Sequence, residues 1–146
     1  MPITQLIQLQ TAVVLSTEED YSAAIYSKED LIINGNGTLN VNAGYRNGIK
    51  STDDCIIVSG TLNITSTEDG IIGKDLCGIV AGDININAGS DGIKSTYDTD
   101  TTKGNVIIEG GNITIKASND GIQAENILVI NDGTINIKTN NGAADT

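Results

Sequence analysis

The sequence predicts an all-β fold, a right-handed parallel β-helix of about five coils, and three observations support this prediction. A glycine-isoleucine motif behind an acid or amide recurs at Gly48, Gly70, Gly92 and Gly121, with 22 residues between the first three glycines. Each repeat contains three short apolar stretches. The 146 residues include no Phe and no Trp, so small and β-branched side chains must fill the core. A period near 22 residues is typical of solenoids, in which each repeat buries its apolar face against its neighbours.

The three stretches of each repeat predict three short strands per coil. The first holds the isoleucine of the motif and predicts one buried column of Ile25, Ile49, Ile71, Ile93 and Ile122. The second is apolar at residues 31–33, 55–57, 77–79, 106–108 and 128–130, and the third alternates apolar with polar residues, which places one set inside and the other in water. Turns are predicted at Asn36-Gly37, Ser59-Gly60, Ala81-Gly82, Gly110-Gly111 and Asp132-Gly133. The right-handed sense follows from the rule for crossovers between parallel strands.

The repeats also divide the chain. Residues 1–20 are predicted to form N-terminal strands, either a cap or a first rung, and residues 21–146 the β-helix. The step from Gly92 to Gly121 is 29 residues, and the extra residues match an insertion loop at 97–103. Insertions in solenoids become loops, often on the binding face.

Composition excludes several classes of function. The net charge of −11, from 19 acidic and 8 basic residues, argues against a nucleic-acid partner and favours cations. The absence of histidine excludes Ser-His-Asp and Cys-His catalysis and makes a zinc site improbable. No apolar stretch approaches the roughly 20 residues of a membrane span, and no secretion-signal pattern begins the sequence.

Stacked coils turn acidic positions into two carboxylate ladders. One ladder precedes the motif glycine, and the other follows it by four to six residues, where Glu29 and Asp30 begin it. Carboxylates one coil apart repel each other, and a calcium ion, which takes six to eight oxygen ligands, relieves that repulsion. The alternative is that these acids are solvated turn residues. The predicted calcium ligands are Asp53, Asp54, Asp69, Asp75, Asp91, Asp98, Asp100, Asp120 and Glu125.

Basic and aromatic residues define a candidate glycan-binding face beside the calcium ladders. Lys50 and Lys94 share an outward column, with Lys28 and Lys74 two residues further along. Lysines beside calcium suit an acidic sugar, and Tyr21, Tyr45 and Tyr97 offer rings for stacking. Scattered solubilising charge explains the lysines equally well. The Thr/Asn face of the third strand is either a surface for ice or crystalline polysaccharide, or the wet side of the solenoid.

Cys55 and Cys77 occupy one inward column, one coil apart. Two stacked buried thiols are the expected state, because in-register side chains on parallel strands meet the torsional requirement of a disulfide poorly.

Four segments carry a family resemblance: residues 24–31, 47–54, 91–98 and 120–125. The chain, over about residues 21–142, resembles the calcium-dependent carbohydrate-binding β-helix domains of bacterial surface and secreted proteins, which are structurally akin to polysaccharide lyases. The resemblance implies bound calcium, binding of cellulose or pectin-like glycans, an extracellular or cell-surface location and no established catalysis. Ala23 and Asn47 depart from the acid that the family usually has before the glycine.

Two functions follow. The first is a non-catalytic extracellular module that binds polysaccharide or builds a surface structure. The second is a calcium-dependent polysaccharide lyase acting on uronate glycans, with Lys50 or Lys94 as the base. The apolar residues of the final complete coil, Leu128, Ile130, Ile135 and Ile137, also predict that subunits stack end to end into filaments, unless the segment continues into a longer solenoid.

Overall fold

The computed structural model of the chain describes residues 5–16 and 22–139. All regular secondary structure in these ranges is β-strand. Accordingly, no helix in the described residues could cross a bilayer. In chain order the strands are β1 (Gln5–Ser16), β2 (Ala23–Ser27), β3 (Leu31–Ala43), β4 (Asn47–Ser51), β5 (Asp54–Ile57), β6 (Thr61–Ser66), β7 (Ile71–Gly73), β8 (Leu76–Ile79), β9 (Asp83–Ala88), β10 (Ile93–Lys94), β11 (Asn105–Ile108), β12 (Asn112–Ala117), β13 (Ile122–Gln123), β14 (Leu128–Ile130) and β15 (Thr134–Thr139).

The strands form three parallel ladders, one for each strand position of the coil. The first ladder is the five-stranded sheet β2-β4-β7-β10-β13. The second ladder runs β3-β5-β8-β11-β14 and the third β3-β6-β9-β12-β15, and they join in one sheet because β3 is long enough to belong to both. With β1, which also pairs with β3, this sheet has ten strands. The pairings among the described strands are all parallel, so the predicted β-helix of about five coils is confirmed.

The β1 strand extends the stack by one rung. It pairs in parallel with the whole of β3, from Gln5 opposite Leu31 to Ser16 opposite Ala43, with a register shift between Leu9 and Thr11. This pairing covers the edge that β3 would otherwise present to solvent.

The core is a narrow column of aliphatic side chains inside the coils. Ile49, Ile71 and Ile93 are directly opposite one another in the first ladder and are fully buried. Ile25 and Ile122 continue the column at its two ends and are partly buried. Each coil supplies only a few inward positions, so the space inside the coils is narrow. Aliphatic side chains fill it without large aromatic residues.

The motif glycines lie against isoleucine side chains of the third ladder. A Cβ atom on Gly70 would come within 2.6 Å of the Ile86 side chain and 2.5 Å of the Gly92 carbonyl oxygen. Gly48 meets Ile64 and Gly92 meets Ile115 in the same way. The glycine of the motif is therefore explained by a steric limit inside the solenoid, because no residue with a side chain fits at these positions.

Turns between the second and third ladders use glycines with positive φ, as at Gly60 (107°), Gly82 (119°) and Gly111 (102°). This backbone conformation is disfavoured for other residues. The predicted turn at Asn36-Gly37 is wrong in detail, because the glycine with positive φ in that coil is Gly35, at 120°. Between its paired segments β3 has one residue more than the next coil, and the extra residue moves the turn.

Cys55 and Cys77 are opposite each other on β5 and β8, and both are fully buried free thiols, as predicted. Burial raises the pKa of Cys77 to about 12 and that of Cys55 well above its usual value. Both thiols therefore remain protonated and act as apolar core groups.

Candidate functional site

The residues before the motif glycines form a hydrogen-bond ladder, which we call the Asx ladder (Asn47, Asp69, Asp91 and Asp120). Asn47 Oδ1 accepts from the Asp69 backbone N–H at 2.9 Å, and Asp69 Oδ1 accepts from the Asp91 N–H at 2.9 Å. Asp91 Oδ1 accepts from the Asp120 N–H at 3.0 Å. Three of the four residues are buried, and only Asp120 is exposed. The ladder therefore links successive coils, which explains why an amide can replace an acid at Asn47.

Lys94 neutralises the buried part of this ladder. Its Nζ donates to Asp91 Oδ2 at 2.7 Å and lies 3.7 Å from Asp69 Oδ2. Burial alone would raise the pKa of Asp91, but the hydrogen bonds from Lys94, Asp120 and Asn119 outweigh it, so the pKa is lowered. Burial acts to lower the pKa of Lys94, and the neighbouring carboxylates reverse that effect and raise it. This pair is therefore ionised at neutral pH.

A second group of acids meets at the turn between the first and second ladders; we call it the junction cluster (Asp30, Asp53 and Asp54). Carboxylate oxygens of these three residues lie within 4.8 Å of one another, and all three are half-buried. The backbone N–H of Asp54 donates to Asp30 Oδ1 at 3.2 Å. Among the described residues, these three carboxylates are the side chains close enough to one another to bind a single metal ion together.

Burial and mutual repulsion together make the carboxyl groups of this cluster weaker acids. Desolvation, followed by the charges of Asp30, Asp53 and Asp75, raises the pKa of Asp54 to about 6. Desolvation and a side-chain hydrogen bond with Asp75 likewise raise the pKa of Asp53. Lys103 pairs with Asp75 at 2.7 Å and only partly offsets the excess negative charge. The junction cluster therefore favours the uptake of positive charge.

The insertion loop places Tyr97 next to two lysines. Lys74 Nζ and Lys103 Nζ each lie 5.0 Å from the centre of the Tyr97 ring, a distance typical of cation–π contacts. Beside the ring is a small pocket of about 90 Å³. It is lined by Tyr97, Asp98, Asp100, Thr101, Glu125 and Asn126.

The predicted calcium ligands thus separate into three places. Asp53 and Asp54 join the junction cluster, with Asp75 next to it. Asp69, Asp91 and Asp120 belong to the Asx ladder, and Asp98, Asp100 and Glu125 line the loop pocket. Asp30 is not among the predicted ligands, although it lies one coil before Asp54 in the same column.

Except for Tyr21, the predicted glycan-binding residues lie on strands of the first ladder or within three residues of them. Lys50 and Lys94 share one column of the first ladder with Tyr26, Ile72 and Gln123, but Ile72 in this column is buried rather than outward-facing. Lys28 and Lys74 are exposed, and Tyr45 lies 6.0 Å from the Arg46 guanidinium. Tyr21 lies outside the described residues.

The outer face of the third ladder carries a second, uncharged ladder. Asn63 Nδ2 donates to Asn40 Oδ1 at 2.9 Å, and Asn85 Nδ2 donates to Asn63 Oδ1 at 3.0 Å. An open depression of about 250 Å³ lies over this face.

Together these features describe a parallel β-solenoid with polar outer faces, a shallow depression and a clustered set of carboxylates. The particular family follows from comparison with known proteins. The chain belongs to the family described as carbohydrate-binding domain-containing protein, which it matches over residues 6–146.

Two similar proteins illustrate the relationship. A carbohydrate-binding domain-containing protein of Acetivibrio thermocellus is 44% identical over 43 residues, which are 30% of this chain and 15% of that protein. A solved structure, named as the polysaccharide lyase-like protein from C. thermocellum in a gadolinium derivative, superimposes with a TM-score of 0.77 at 31% identity. That match covers 94% of this chain and 63% of the solved chain, so the chain spans only part of both relatives.

Proposed function

We propose that this chain is a non-catalytic polysaccharide-binding module of an extracellular or cell-surface protein, and that it holds calcium at the junction cluster. Membership of a carbohydrate-binding domain family supports the polysaccharide partner. The observation that carries the calcium proposal is the approach of three carboxylates within 4.8 Å of one another.

The junction cluster fits a hard cation better than it fits water alone. Calcium binds oxygen ligands at about 2.3–2.6 Å, so one ion can bridge carboxylates that are within 4.8 Å of one another. Asp30, Asp53 and Asp54 would hold the ion, and the ion would offset the burial and the carboxylate repulsion that together raise the pKa of Asp54 to about 6. The solved relative is a gadolinium derivative, and gadolinium is also a hard cation that prefers oxygen ligands.

Lysines near the cluster extend this site toward an acidic glycan. Lys28 is two residues before Asp30, and Lys74 directly precedes Asp75. Both lysines are exposed, and Lys50 is half-buried in the adjacent column. A bound calcium ion and these lysines together would attract the carboxylates of uronate sugars, and the Tyr97 ring lies 5.0 Å from Lys74 Nζ.

Calcium binding is tested by thermal unfolding. A ligand that binds only the folded state stabilises it by mass action, so calcium should raise the melting temperature and EDTA should lower it. The double variant D53N/D54N should lose the calcium response, whereas the control D83N, an exposed acid on β9, should keep it. An equal calcium response in all three proteins would place the ion elsewhere, and no response in the parent chain would contradict the calcium proposal.

A polysaccharide lyase is the second candidate, favoured by the name of the structural relative. The lyase reaction requires a neutral base, and Lys94 is poorly suited because its neighbouring carboxylates raise its pKa. Lys50 would then be the base. Incubation with polygalacturonate and calcium, monitored by the ultraviolet absorbance of unsaturated products, separates the candidates: product formation that is lost in K50A supports a lyase.

We also propose end-to-end assembly. In the last described coil, Leu128, Ile130 and Ile137 occupy inward columns and yet are 43–49% exposed, because no further coil in the described residues covers them. At the opposite end lies β1, which among the described strands pairs with β3 alone. Stacking of one subunit on the next would bury the apolar side chains and pair the strand edges.

A further inference from the structure

The depression on the outer face of the third ladder lies across three consecutive coils. Its floor and walls come from β6, β9 and β12, and its volume is about 250 Å³. The lining side chains that reach solvent are Asn63, Thr65, Asn85, Asn87, Thr114 and Lys116. These residues are in two columns, one through Asn63, Asn85 and Thr114 and the other through Thr65, Asn87 and Lys116.

The amide ladder ends inside this depression. Asn85 donates to Asn63, but the next position of the column is Thr114, which is shorter and offers no amide. The described hydrogen bonds consequently leave Asn85 Oδ1 without a donor. An acceptor held in place by its neighbours and open to solvent can bind a ligand hydroxyl at little entropic cost.

Charge distinguishes this depression from the rest of the surface. The chain carries 19 acidic and 8 basic residues, yet the lining includes a lysine and no carboxylate. Lys138 on β15 follows Lys116 in register, one coil further along the same column. An anionic group at this end of the depression would meet two ammonium groups.

We propose that this depression is a sugar-binding subsite for an extended, carboxylate-bearing glycan whose chain runs parallel to the solenoid axis. The proposal rests on the proposed function and names a surface for it that is separate from the junction cluster. Asn85, Asn87 and Thr114 bind sugar hydroxyls, and Lys116 binds the carboxylate.

The repeat of the solenoid supports this orientation. Adjacent parallel strands are about 4.8 Å apart, so equivalent side chains in the two columns recur at that distance along the axis. One sugar of an extended glycan advances by a similar distance, and successive sugars therefore meet successive coils. A glycan that crosses the axis would meet only one coil and would leave most of the polar lining unused.

The described residues that line the subsite include no aromatic and no acidic side chain, and two consequences follow. Binding depends on hydrogen bonds and on Lys116 rather than on ring stacking. It also needs no metal ion, so binding at this face persists when calcium is removed.

The test is an NMR titration of the full chain in EDTA with oligogalacturonate, and with cello-oligosaccharide of the same length as the neutral comparison. We expect oligogalacturonate to shift the side-chain amide signals of Asn63, Asn85 and Asn87. The variants N87A and K116A should weaken its binding about tenfold each, which is typical of one lost charge-assisted or well-placed hydrogen bond. K116A should also remove most of the preference for oligogalacturonate over cello-oligosaccharide.

The matched control is N42A. Asn42 is exposed in the same column as Asn87, two coils earlier, and does not line the depression. This variant should bind as the parent chain does. Binding that requires calcium and leaves the three amide signals unchanged would overturn the subsite and leave the proposed function intact. Absence of binding to either sugar, with or without calcium, would contradict both.

Discussion

Behind each motif glycine lies an isoleucine of the third ladder, and this isoleucine leaves no room for a side chain at the glycine position. Behind Gly70 this residue is Ile86, and behind Gly92 it is Ile115. The acid or amide before each glycine links its coil to the next through a backbone N–H. At the level of single residues, the recurring motif is therefore explained by packing and hydrogen bonding.

The steric limit at Gly70 predicts that Gly70→Ala destabilises the fold. The added methyl would clash with backbone as well as with Ile86, and overpacking of this kind typically costs about 1–3 kcal/mol. Gly78→Ala is the control, because its Cβ would make only ordinary contacts at 3.5 Å or more with the Ile56 side chain. It should leave stability unchanged or raise it slightly. Urea unfolding of both variants measures the difference, and equal stabilities would refute the steric explanation.

The buried pair of Lys94 and Asp91 gives a second prediction. Lys94→Met leaves the Asp91 carboxylate, which is 1% exposed, without its neutralising partner, and we expect a loss of about 1–3 kcal/mol of unfolding free energy. Adding Asp91→Asn removes the charge and keeps the acceptor for the Asp120 N–H. The double variant should regain part of the loss in urea unfolding. If Lys94→Met is as stable as the parent chain, the pair has no structural role.

Among the structural elements, the turn between the first and second ladders holds carboxyl groups whose pKa values are raised by burial and by one another. The junction cluster brings three carboxylates together where Asp75 is already adjacent, and Lys103 compensates only in part. A strand pairing that is in register requires this approach, because Asp30 and Asp54 occupy the same column. Stability of the stack and repulsion at the turn are thus coupled.

This coupling predicts an unusual pH dependence in EDTA. The folded-state pKa of Asp54, about 6, is above the ordinary value of 3.8, so the folded protein binds more protons than the unfolded chain between these values. The unfolding free energy should therefore increase as pH falls from 7 to 5. The lowered pKa of Asp91 acts in the opposite direction, but its effect begins only as pH approaches its ordinary value of 3.8.

Asp54→Asn tests this dependence. It should raise the melting temperature at pH 7 in EDTA and flatten the profile between pH 5 and 7. Asp83→Asn, which removes an exposed charge on β9, serves as the control and should keep the slope. A parent chain that loses stability as pH falls from 7 to 5 would show that repulsion in the cluster is unimportant.

Over the whole molecule, the solenoid has a continuous core and an apolar face in its last described coil. Interior coils bury their inward isoleucines to 0–4% exposure, whereas Ile130 and Ile137 in the last described coil are 49% and 46% exposed. Inward side chains of the same columns are thus buried in the interior coils and exposed in the last described coil, because no further coil in the described residues packs on them.

End-to-end stacking predicts that Ile130→Lys weakens self-association. The lysine would place a charge in the contact between subunits, where burial without a partner is unfavourable. Val80→Lys is the control, since Val80 is similarly exposed, at 45%, but lies on the side of the solenoid. Sedimentation velocity over a range of concentrations should show larger species for the parent and Val80→Lys, and monomer for Ile130→Lys. A parent chain that remains monomeric at high concentration contradicts the stacking proposal.

The architecture of this protein could be predicted from its sequence. The 22-residue period sets the length of chain in one coil, and the alternation in the third strand separates inside from outside. The extra residues after Gly92 locate the insertion. These properties are local or periodic, so they can be recognised without knowing which side chains meet. The right-handed sense of the coil stays a prediction.

The contacts between side chains of different coils became clear only in the folded chain. Two carboxylate ladders look alike in the sequence, yet one binds backbone N–H groups and Lys94, and the other gathers Asp30, Asp53 and Asp54. The depression at Asn85 and Thr114 likewise has no signature beyond alternation. Contacts between coils depend on register to within one residue and on the conformation of each turn. A periodic pattern constrains both only approximately, as the extra residue in β3 shows.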